Sequence, residues 1–414
     1  MTRKRTREPD RKQGLIRFEI PEEGLPPEHP ARVLWDVTGT LDLSQFLRDV
    51  KSVEGQQGRS AKSPRMKLVL WLYAVSRGIG SAREIARLIK SDDGFRWIVG
   101  DLSIHHDTLS VFRAHQGEAL DELMTDVLAA LVHKGVLSLD LVAQDGMRVR
   151  AAATAPSFRR YESLLECREQ AALHVKAVLA QADDPEQSAA QHARRVAAAR
   201  DFQRRVDEAI AVVEDLRRQH QKPSAKRVPR ASTTDVEARV MKMADGGFRP
   251  AYNVQTATAG SEHGGPRTVV GVRVTNVGSD MNAIAPMLDD IERRTGALPR
   301  TLLADANHGG HEGIQNAAAR GVEALIAVPE RSQNPGDRGS SDPDVKAWRE
   351  RMETDEARRT YRARASLCEL TNAHMRSRQG LDQFLVRGLR KVTNVVLLGT
   401  IALNLLQHAS ALLS

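Results

Sequence analysis

The sequence predicts a protein of the mixed α/β class, with a helical region ahead of a β-sheet that is flanked by helices. Two apolar runs, residues 137–145 and 300–305, each end in an aspartate, and a glycine follows within a few positions. Residues 249–257 and 267–275 are β-patterned and are joined by a glycine-rich turn. Short apolar runs bounded by glycine are typical of buried strands, whereas apolar residues spaced by three and four, as in residues 63–134, are typical of helices.

The composition indicates a basic protein with more than one folding module. A chain of 414 residues suits two or three modules, and its formal net charge of +8 suits a polyanionic partner. A protein that is merely basic would carry the same charge. The two cysteines, Cys167 and Cys368, are too few for a disulfide framework or a cysteine zinc site and fit a reducing cytosol. The longest apolar run, residues 395–406, is too short to span a bilayer and predicts a buried helix, so we expect no membrane association.

The region before the sheet divides into an arm and a helical segment. Residues 1–44 are expected to be a basic arm and an irregular lead-in, since the first 13 residues carry six basic side chains against two acids. Residues 45–134 contain short helices joined by tight turns, as in a helix-turn-helix DNA-binding domain. The second helix of that motif would begin at Thr108 and expose Arg113. A plain helical bundle fits the same pattern equally well.

The first apolar run ends in Asp145-Gly146, and this pair raises two interpretations. The ordinary one is a turn after a strand, with a second strand at residues 146–151 turned back by the Asp-Gly pair. The other follows from Asp305, which closes a second run of the same design. Two carboxylates on adjacent strand ends repel each other unless a cation lies between them. The pair therefore suggests a cation site at one end of the sheet.

The remaining elements are read from the period of the apolar residues. Residues 158–221 are strongly helical with one break, which predicts two antiparallel helices. After the two β-patterned segments, the sequence predicts the following elements: a helix at 281–295, a strand at 300–305, a helix at 312–320, a strand at 324–329, helices across 344–378, and a final helix from residue 389.

A third acid is offered by Glu369, which stands in a helical segment rich in arginine. An acid in such surroundings is more often a salt-bridging surface residue. The alternative is that its carboxylate joins Asp145 and Asp305 in fixing a pair of Mg²⁺ ions. Asp235 and Asp280 are rival acids, and Asp280 is expected to cap a helix.

The ordered set of these motifs resembles the DDE transposases of bacterial insertion sequences, whose catalytic domain has a ribonuclease H-like fold. The resemblance extends over roughly residues 45–410, nearly the whole chain. The segments that carry it are VAQDG at 142–146, STTD at 232–235, ARVM at 238–241, AYNVQ at 251–255, LADAN at 303–307, YRARASLCE at 361–369, RGLRKV at 387–392 and, in the helical region, HDTLSVFR at 106–113.

The resemblance implies a ribonuclease H-like mixed sheet with flanking helices, an all-α N-terminal domain and a helical-hairpin insertion. The implied domains are a lead-in at 1–44, a DNA-binding domain at 45–134, a catalytic domain at 135–157 and 231–414, and the insertion at 158–230. The implied catalytic and metal-binding residues are Asp145, Asp305 and Glu369. The residues expected to contact DNA are Arg113, Arg148, Tyr361, Arg364, Asn372 and Arg376. Arg376 stands where related transposases often carry a lysine.

The implied activity is transposition by two-metal-ion phosphoryl transfer, with Mg²⁺ as cofactor and Mn²⁺ as a possible substitute. The implied partners are double-stranded DNA, as terminal inverted repeats and target, and a second copy of the chain during synapsis. The implied location is the bacterial cytoplasm, in association with the nucleoid. Two alternatives stay open: a nuclease of the same fold that cuts without joining, and a transposase-derived DNA-binding protein whose acids are idle.

Overall fold

A six-stranded mixed sheet lies at the centre of the protein. The structure is a computed structural model that describes residues 20–48, 50–52, 60–181, 188–219, 228–328 and 341–414. The basic arm predicted at residues 1–13 lies outside the described residues. The strands are β1 (Leu141–Arg150), β2 (Phe158–Arg159), β3 (Ala231–Ser232), β4 (Arg239–Lys242), β5 (Phe248–Ala259), β6 (Thr268–Thr275), β7 (Thr301–Ala304) and β8 (Glu323–Ile326).

The helices surround this sheet and also form the region that precedes it. They are α1 (Pro30–Gly39), α2 (Pro64–Ser76), α3 (Ala82–Leu88), α4 (Asp93–Val99), α5 (His106–His115), α6 (Gly117–His133), α7 (Tyr161–Leu179), α8 (Ala189–Gln219), α9 (Ile284–Thr295), α10 (His311–Ala319), α11 (Pro343–Glu353), α12 (Asp355–Tyr361), α13 (Leu370–Ser377), α14 (Leu389–Gln407) and α15 (Ala409–Leu413). A π-helical turn at Ala365–Glu369 leads into α13.

The sheet has the strand order β4-β5-β1-β7-β8. Strand β6 pairs with β5 on the same side as β4, further along β5. The pairs β1–β5, β5–β6 and β4–β5 are antiparallel, whereas β1–β7 and β7–β8 are parallel. The two parallel strands follow crossovers through α9 and α10, as parallel pairing requires. The mixed α/β class predicted from the sequence is confirmed.

Strand β1 continues through Asp145 and Gly146, so the predicted turn and second strand are wrong. Its antiparallel pairing with β5 runs without interruption from Val142 opposite Ala259 to Arg150 opposite Ala251. The long β5 partner supplies a hydrogen-bonding edge along all of residues 142–150, and this outweighs the local turn preference of Asp-Gly. Asp145 is therefore a residue in mid-strand.

The N-terminal helices share one hydrophobic core with α14 and the sheet. Helix α2 is apolar around most of its circumference and is buried on nearly all sides. Helix α14 packs against α2, α5, α6 and β6. Among the described residues, α14 is a helix long and apolar enough by composition to cross a membrane, yet 61% of that stretch is buried inside the protein. The buried C-terminal helix predicted from the sequence is confirmed.

Helices α7 and α8 form an antiparallel hairpin with a small core of its own. The two ends of the hairpin are tied by an ion pair between Arg217 and Glu162 at 3.0 Å and a hydrogen bond from Arg195 to Gln181 at 2.9 Å. Strands β2 and β3 pair at its base. The predicted break near residues 183–186 lies outside the described residues.

Candidate functional site

The parallel pairing of β1 with β7 brings two acids to neighbouring positions. Ala143 lies opposite Leu303 in this pairing. Asp145 follows two residues later within β1, and Asp305 comes directly after the end of β7. Because the two strands run in the same direction, both acids come to the same level of the sheet. The predicted pair of neighbouring aspartates is thus present.

The carboxylate of Asp145 is half-buried and feels the charge of its neighbour. Burial raises the pKa of Asp145, and the charge of Asp305 raises it further, although the Gly146 N–H and then the charges of Arg364 and His308 oppose both effects. Asn372 Nδ2 donates a hydrogen bond to Asp145 Oδ2 at 2.9 Å, while Asn372 Oδ1 accepts one from the Thr256 hydroxyl at 3.1 Å. A carboxylate whose pKa is raised by a second carboxylate is one that a cation would stabilise.

The carboxylate of Asp305 is held by the short 3₁₀ turn that follows it. Asp305 Oδ1 accepts from the Asn307 backbone N–H at 3.0 Å and lies 2.6 Å from His308 Nδ1, while Oδ2 accepts from Asn307 Nδ2 at 2.9 Å. Burial alone would raise the pKa of Asp305, but the hydrogen bonds and charge supplied by His308 and Asn307 lower it to about 2. Asp305 is therefore ionised at any ordinary pH.

Glu369 is the last residue of the π-helical turn, and its side chain is exposed. Its carboxylate is paired with Arg364, whose Nη2 lies 2.6 Å from Glu369 Oε1. The turn packs against β1, which carries Asp145, and against β5. π-Helical turns of this kind are frequent at functional sites.

The three acids do not form a ready-made metal site. In the part of the chain that the structure describes, one set of three or more His, Cys, Asp or Glu residues has all its ligand atoms within 4.8 Å of one another, and it is the surface set His105, His106 and Asp107. The expected convergence of Asp145, Asp305 and Glu369 within a few ångströms is therefore not seen in this structure. The carboxylate of Glu369 faces Arg364 instead.

Arg364 is the basic residue that links the acids. Its guanidinium lies 5.9 Å from the centre of the Tyr361 ring and is near Asp145 as well as Glu369. Burial alone would lower the pKa of Arg364, but the charges of the Cys368 thiol and the Tyr361 hydroxyl, followed by those of the two carboxylates, raise it. Burial also raises the pKa of Tyr361. These two residues, both predicted to contact DNA, lie together beside the acid pair.

Three further predicted DNA contacts are engaged inside the protein. Arg148 donates to Asp280 Oδ2 and to the Gly278 carbonyl, both at 2.8 Å. Arg376 is half-buried, with a contact of 3.3 Å to the Arg148 carbonyl. Asn372 is buried against Asp145, as described above. These contacts position the elements around the acids.

The expected exposure of Arg113 is wrong. The side chain is buried, its guanidinium lies 4.3 Å from the Trp71 ring centre, and it donates to the Gly80 carbonyl at 2.5 Å. Burial lowers the pKa of Arg113 to about 10. The residue packs α5 against α2 and is not presented to a duplex. Helix α5 itself begins at His106 and is capped by His105.

The rival acids also have structural partners. Asp235 is buried and accepts from the Tyr252 hydroxyl at 2.7 Å and from the Gly388 N–H at 3.1 Å. Asp280 was expected to cap a helix, but the N-cap of α9 is Ala283 and Asp280 is buried in an ion pair with Arg148. Both acids serve the packing of distant segments.

Sequence reasoning missed the residues that surround Asp305. His308 is fully buried and touches Asp305, and Gln255 touches His308 from β5. Gln255 belongs to the AYNVQ segment at 251–255, which carries the family resemblance without implying a role for any one of its residues. A polar pattern within an otherwise apolar strand was the available signal.

Two family models match the chain. A model described as Transposase domain (DUF772) matches residues 20–115, and one described as Transposase DDE domain matches residues 341–409. The first covers helices α1 to α5, and the second covers the segment that carries Glu369. No curated protein and no solved structure matches the chain significantly.

Proposed function

Because this chain is a DDE transposase of an insertion-element family, we propose that it cleaves the ends of its element and joins them to target DNA. The proposed catalytic residues are Asp145, Asp305 and Glu369, in a catalytic domain of ribonuclease H-like fold. The observation that carries the proposal is the pair of aspartates, one within β1 and one directly after the parallel strand β7, within reach of the segment that the DDE domain model matches.

The donor set fits a hard divalent cation. Carboxylate oxygens are the ligands that Mg²⁺ and Mn²⁺ prefer, and the two aspartates are close enough for the charge of Asp305 to raise the pKa of Asp145. Asp145 and Asp305 would hold the cation, and Glu369 would complete the set. When bound, such ions activate the attacking water or 3′-hydroxyl and stabilise the leaving oxygen.

Arg364 and Glu369 would exchange partners when DNA is present. The Glu369 carboxylate is 52% exposed, and an ion pair with so exposed a member is weak. A DNA phosphate is a good partner for the arginine fork. Arg364 would thus leave Glu369 for the DNA backbone, and the freed carboxylate would turn towards the aspartates. The ring of Tyr361, whose centre lies 5.9 Å from the Arg364 guanidinium, would support Arg364 in this position.

The surface next to this segment suits a polyanion. The side chains of Arg358, Arg359 and Arg362 are exposed on and just after α12. Phosphate contacts of this kind fix position without reading bases. Recognition of the inverted repeats would fall to the helical region at residues 45–134, and synapsis of two ends would require two copies of the chain.

The test uses full-length protein and the DNA that flanks its reading frame, where the inverted repeats would lie. Asp145→Asn, Asp305→Asn and Glu369→Gln should each abolish Mg²⁺-dependent cleavage while a gel shift still detects end binding. Asp140→Asn, an exposed acid just before β1, is the matched control and should cleave normally. Full cleavage by any of the three variants removes that residue from the proposed site.

A second assay separates the proposed activity from its rivals. With pre-cut ends and a target plasmid, joined product supports a transposase, whereas cleavage without joining supports a nuclease. The idle DNA-binding alternative is favoured by one observation, the pairing of Glu369 with Arg364. Specific end binding without cleavage in Mg²⁺ or Mn²⁺ would support that alternative.

A further inference from the structure

We propose that His308 is a positioning residue for the Asp305 carboxylate, and that a buried polar network on β1 and β5 fixes its orientation. The inference rests on the proposed role of Asp305 as a metal-binding carboxylate. The ring of His308 is fully buried between two oxygens, with Nδ1 2.6 Å from Asp305 Oδ1 and Nε2 3.1 Å from Gln255 Oε1. Both ring nitrogens therefore face acceptors.

The amide of Gln255 can take one orientation only. Its nitrogen lies 2.6 Å from Asp280 Oδ1, a carboxylate oxygen, and must therefore donate there. The amide oxygen then faces His308, where it also accepts from Gln144 Nε2 at 3.2 Å. Gln144 is oriented in turn, because its nitrogen donates to the Ala283 carbonyl at 3.0 Å.

The far end of the network is anchored by a buried ion pair. The side chain of Asp280 is 3% exposed and accepts from Arg148 at 2.8 Å and from Asn253 Nδ2 at 2.7 Å. Breaking a buried, hydrogen-bonded pair of this kind leaves an uncompensated charge, so the anchor resists rearrangement. The orientation of His308 is thus fixed through Gln255 on β5 and its partner Asp280.

Gly146 makes room for this network beside Asp145. A Cβ atom at position 146 would lie 2.1 Å from Gln255 Nε2 and 3.0 Å from Asp280 Oδ1. The glycine that the sequence suggested as a turn former is therefore needed as a space for buried polar side chains. Asp145 and the network lie on opposite faces of β1, because successive side chains of a strand alternate.

Groups that hydrogen-bond to metal ligands typically contribute 10- to 100-fold to metal affinity, because they hold the ligand in its binding orientation. We therefore expect His308→Leu to weaken Mn²⁺ binding by about 10- to 100-fold. His308→Asn keeps a donor near the position of Nδ1 and should bind better than His308→Leu. Gln255→Met leaves His308 in place but removes its outer partner, and should also weaken binding.

Mn²⁺ binding is titrated on the full-length protein by loss of the free-ion EPR signal, with folding checked by circular dichroism. A parallel cleavage assay gives the Mn²⁺ concentration for half-maximal rate and the maximal rate. If His308 acts by positioning, His308→Leu should need a much higher Mn²⁺ concentration for its half-maximal rate. Most of the maximal rate should return at saturating Mn²⁺. His263→Leu makes the same change at an exposed histidine and should alter neither.

Unchanged Mn²⁺ affinity in folded His308→Leu overturns the inference. Should that variant fail to fold, unchanged affinity in both His308→Asn and Gln255→Met overturns it instead. Asp305→Asn distinguishes a failure of the proposed acid site from a failure of the proposed role of His308. If it binds Mn²⁺ as the wild type does, the proposed acid site fails and the inference with it; if it alone loses binding, only the role of His308 fails.

Discussion

The Nη2 atom of Arg364 donates to Oε1 of Glu369 at 2.6 Å, so the third predicted acid is paired with a cation rather than with Asp145 and Asp305. The proposed function requires this pair to open at little cost. A double-mutant cycle with Arg364→Ala and Glu369→Ala, read by urea unfolding, should give a coupling of at most about 1 kcal/mol. The exposed Arg87–Glu84 pair is the comparison. A coupling of about 3 kcal/mol, as for buried pairs, would contradict the proposed exchange.

Arg113 is expected to matter for stability and not for DNA recognition. Arg113→Met removes a charged donor from the buried Gly80 carbonyl and the cation from the Trp71 ring. Urea unfolding should show a loss of about 1–3 kcal/mol. Arg83→Met, at an exposed position of α3, should change stability little. If Arg113→Met were as stable as the wild type but failed to bind element ends, the predicted helix-turn-helix role of Arg113 in DNA binding would regain support.

Gly146→Ala tests the space that the buried network requires. The added methyl group would meet the amide nitrogen of Gln255, which Asp280 holds in place. Overpacking of this kind costs about 1–3 kcal/mol, measured by chemical unfolding. Gly24→Ala, where a Cβ meets no atom within 4 Å, is the control. Equal stability of the two variants would show that the network moves aside easily.

Glu237 should act as a remote cap for α14. Its Oε2 accepts from the Leu389 N–H at 2.8 Å, at the start of that helix. Glu237→Ala leaves this amide without its carboxylate and should lower the free energy of unfolding by about 0.5–2 kcal/mol. Glu237→Gln keeps an acceptor oxygen and should lose less. A smaller loss for alanine than for glutamine would contradict the capping role.

Asp235 predicts a pH-dependent stability difference. Burial raises the pKa of Asp235 above its unfolded value, and its hydrogen bonds with Tyr252 and Gly388 only partly oppose this. The ionised form is thus penalised in the folded state, and stability is lost as pH rises through the folded pKa. Asp235→Asn should have a higher melting temperature than the wild type at pH 8. This difference should shrink as the pH falls towards about 4. A difference that stays constant with pH would refute this.

The sheet and its pair of aspartates could be predicted because each depends on short-range patterns. Apolar runs at β1 and β7 mark buried strands, and the helical segment between the β-patterned regions and residue 300 permits a parallel neighbour. The continuity of β1 could not be predicted, because it depends on β5, more than a hundred residues away in the chain. Local turn preference was the wrong guide at Asp145-Gly146.

The orientation of Glu369 could not be predicted for a different reason. Residues five apart lie on different faces of an α-helix, so the sequence does not suggest that Arg364 and Glu369 meet. The π-helical turn changes the spacing and brings them together. The burial of His308 and Arg113 likewise depends on partners from other elements, Gln255 and Trp71, that no local pattern identifies.

The packing of α14 against α2, α5 and α6 has a consequence for biosynthesis. Helices α2, α5 and α6 leave the ribosome long before α14, the helix that covers them, is translated. At ribosomal speeds of about 5–20 residues per second, the interval lasts roughly 10–50 s. During that time the nascent N-terminal segment exposes an apolar surface to chaperones, and a premature stop before Leu389 would leave it exposed for good.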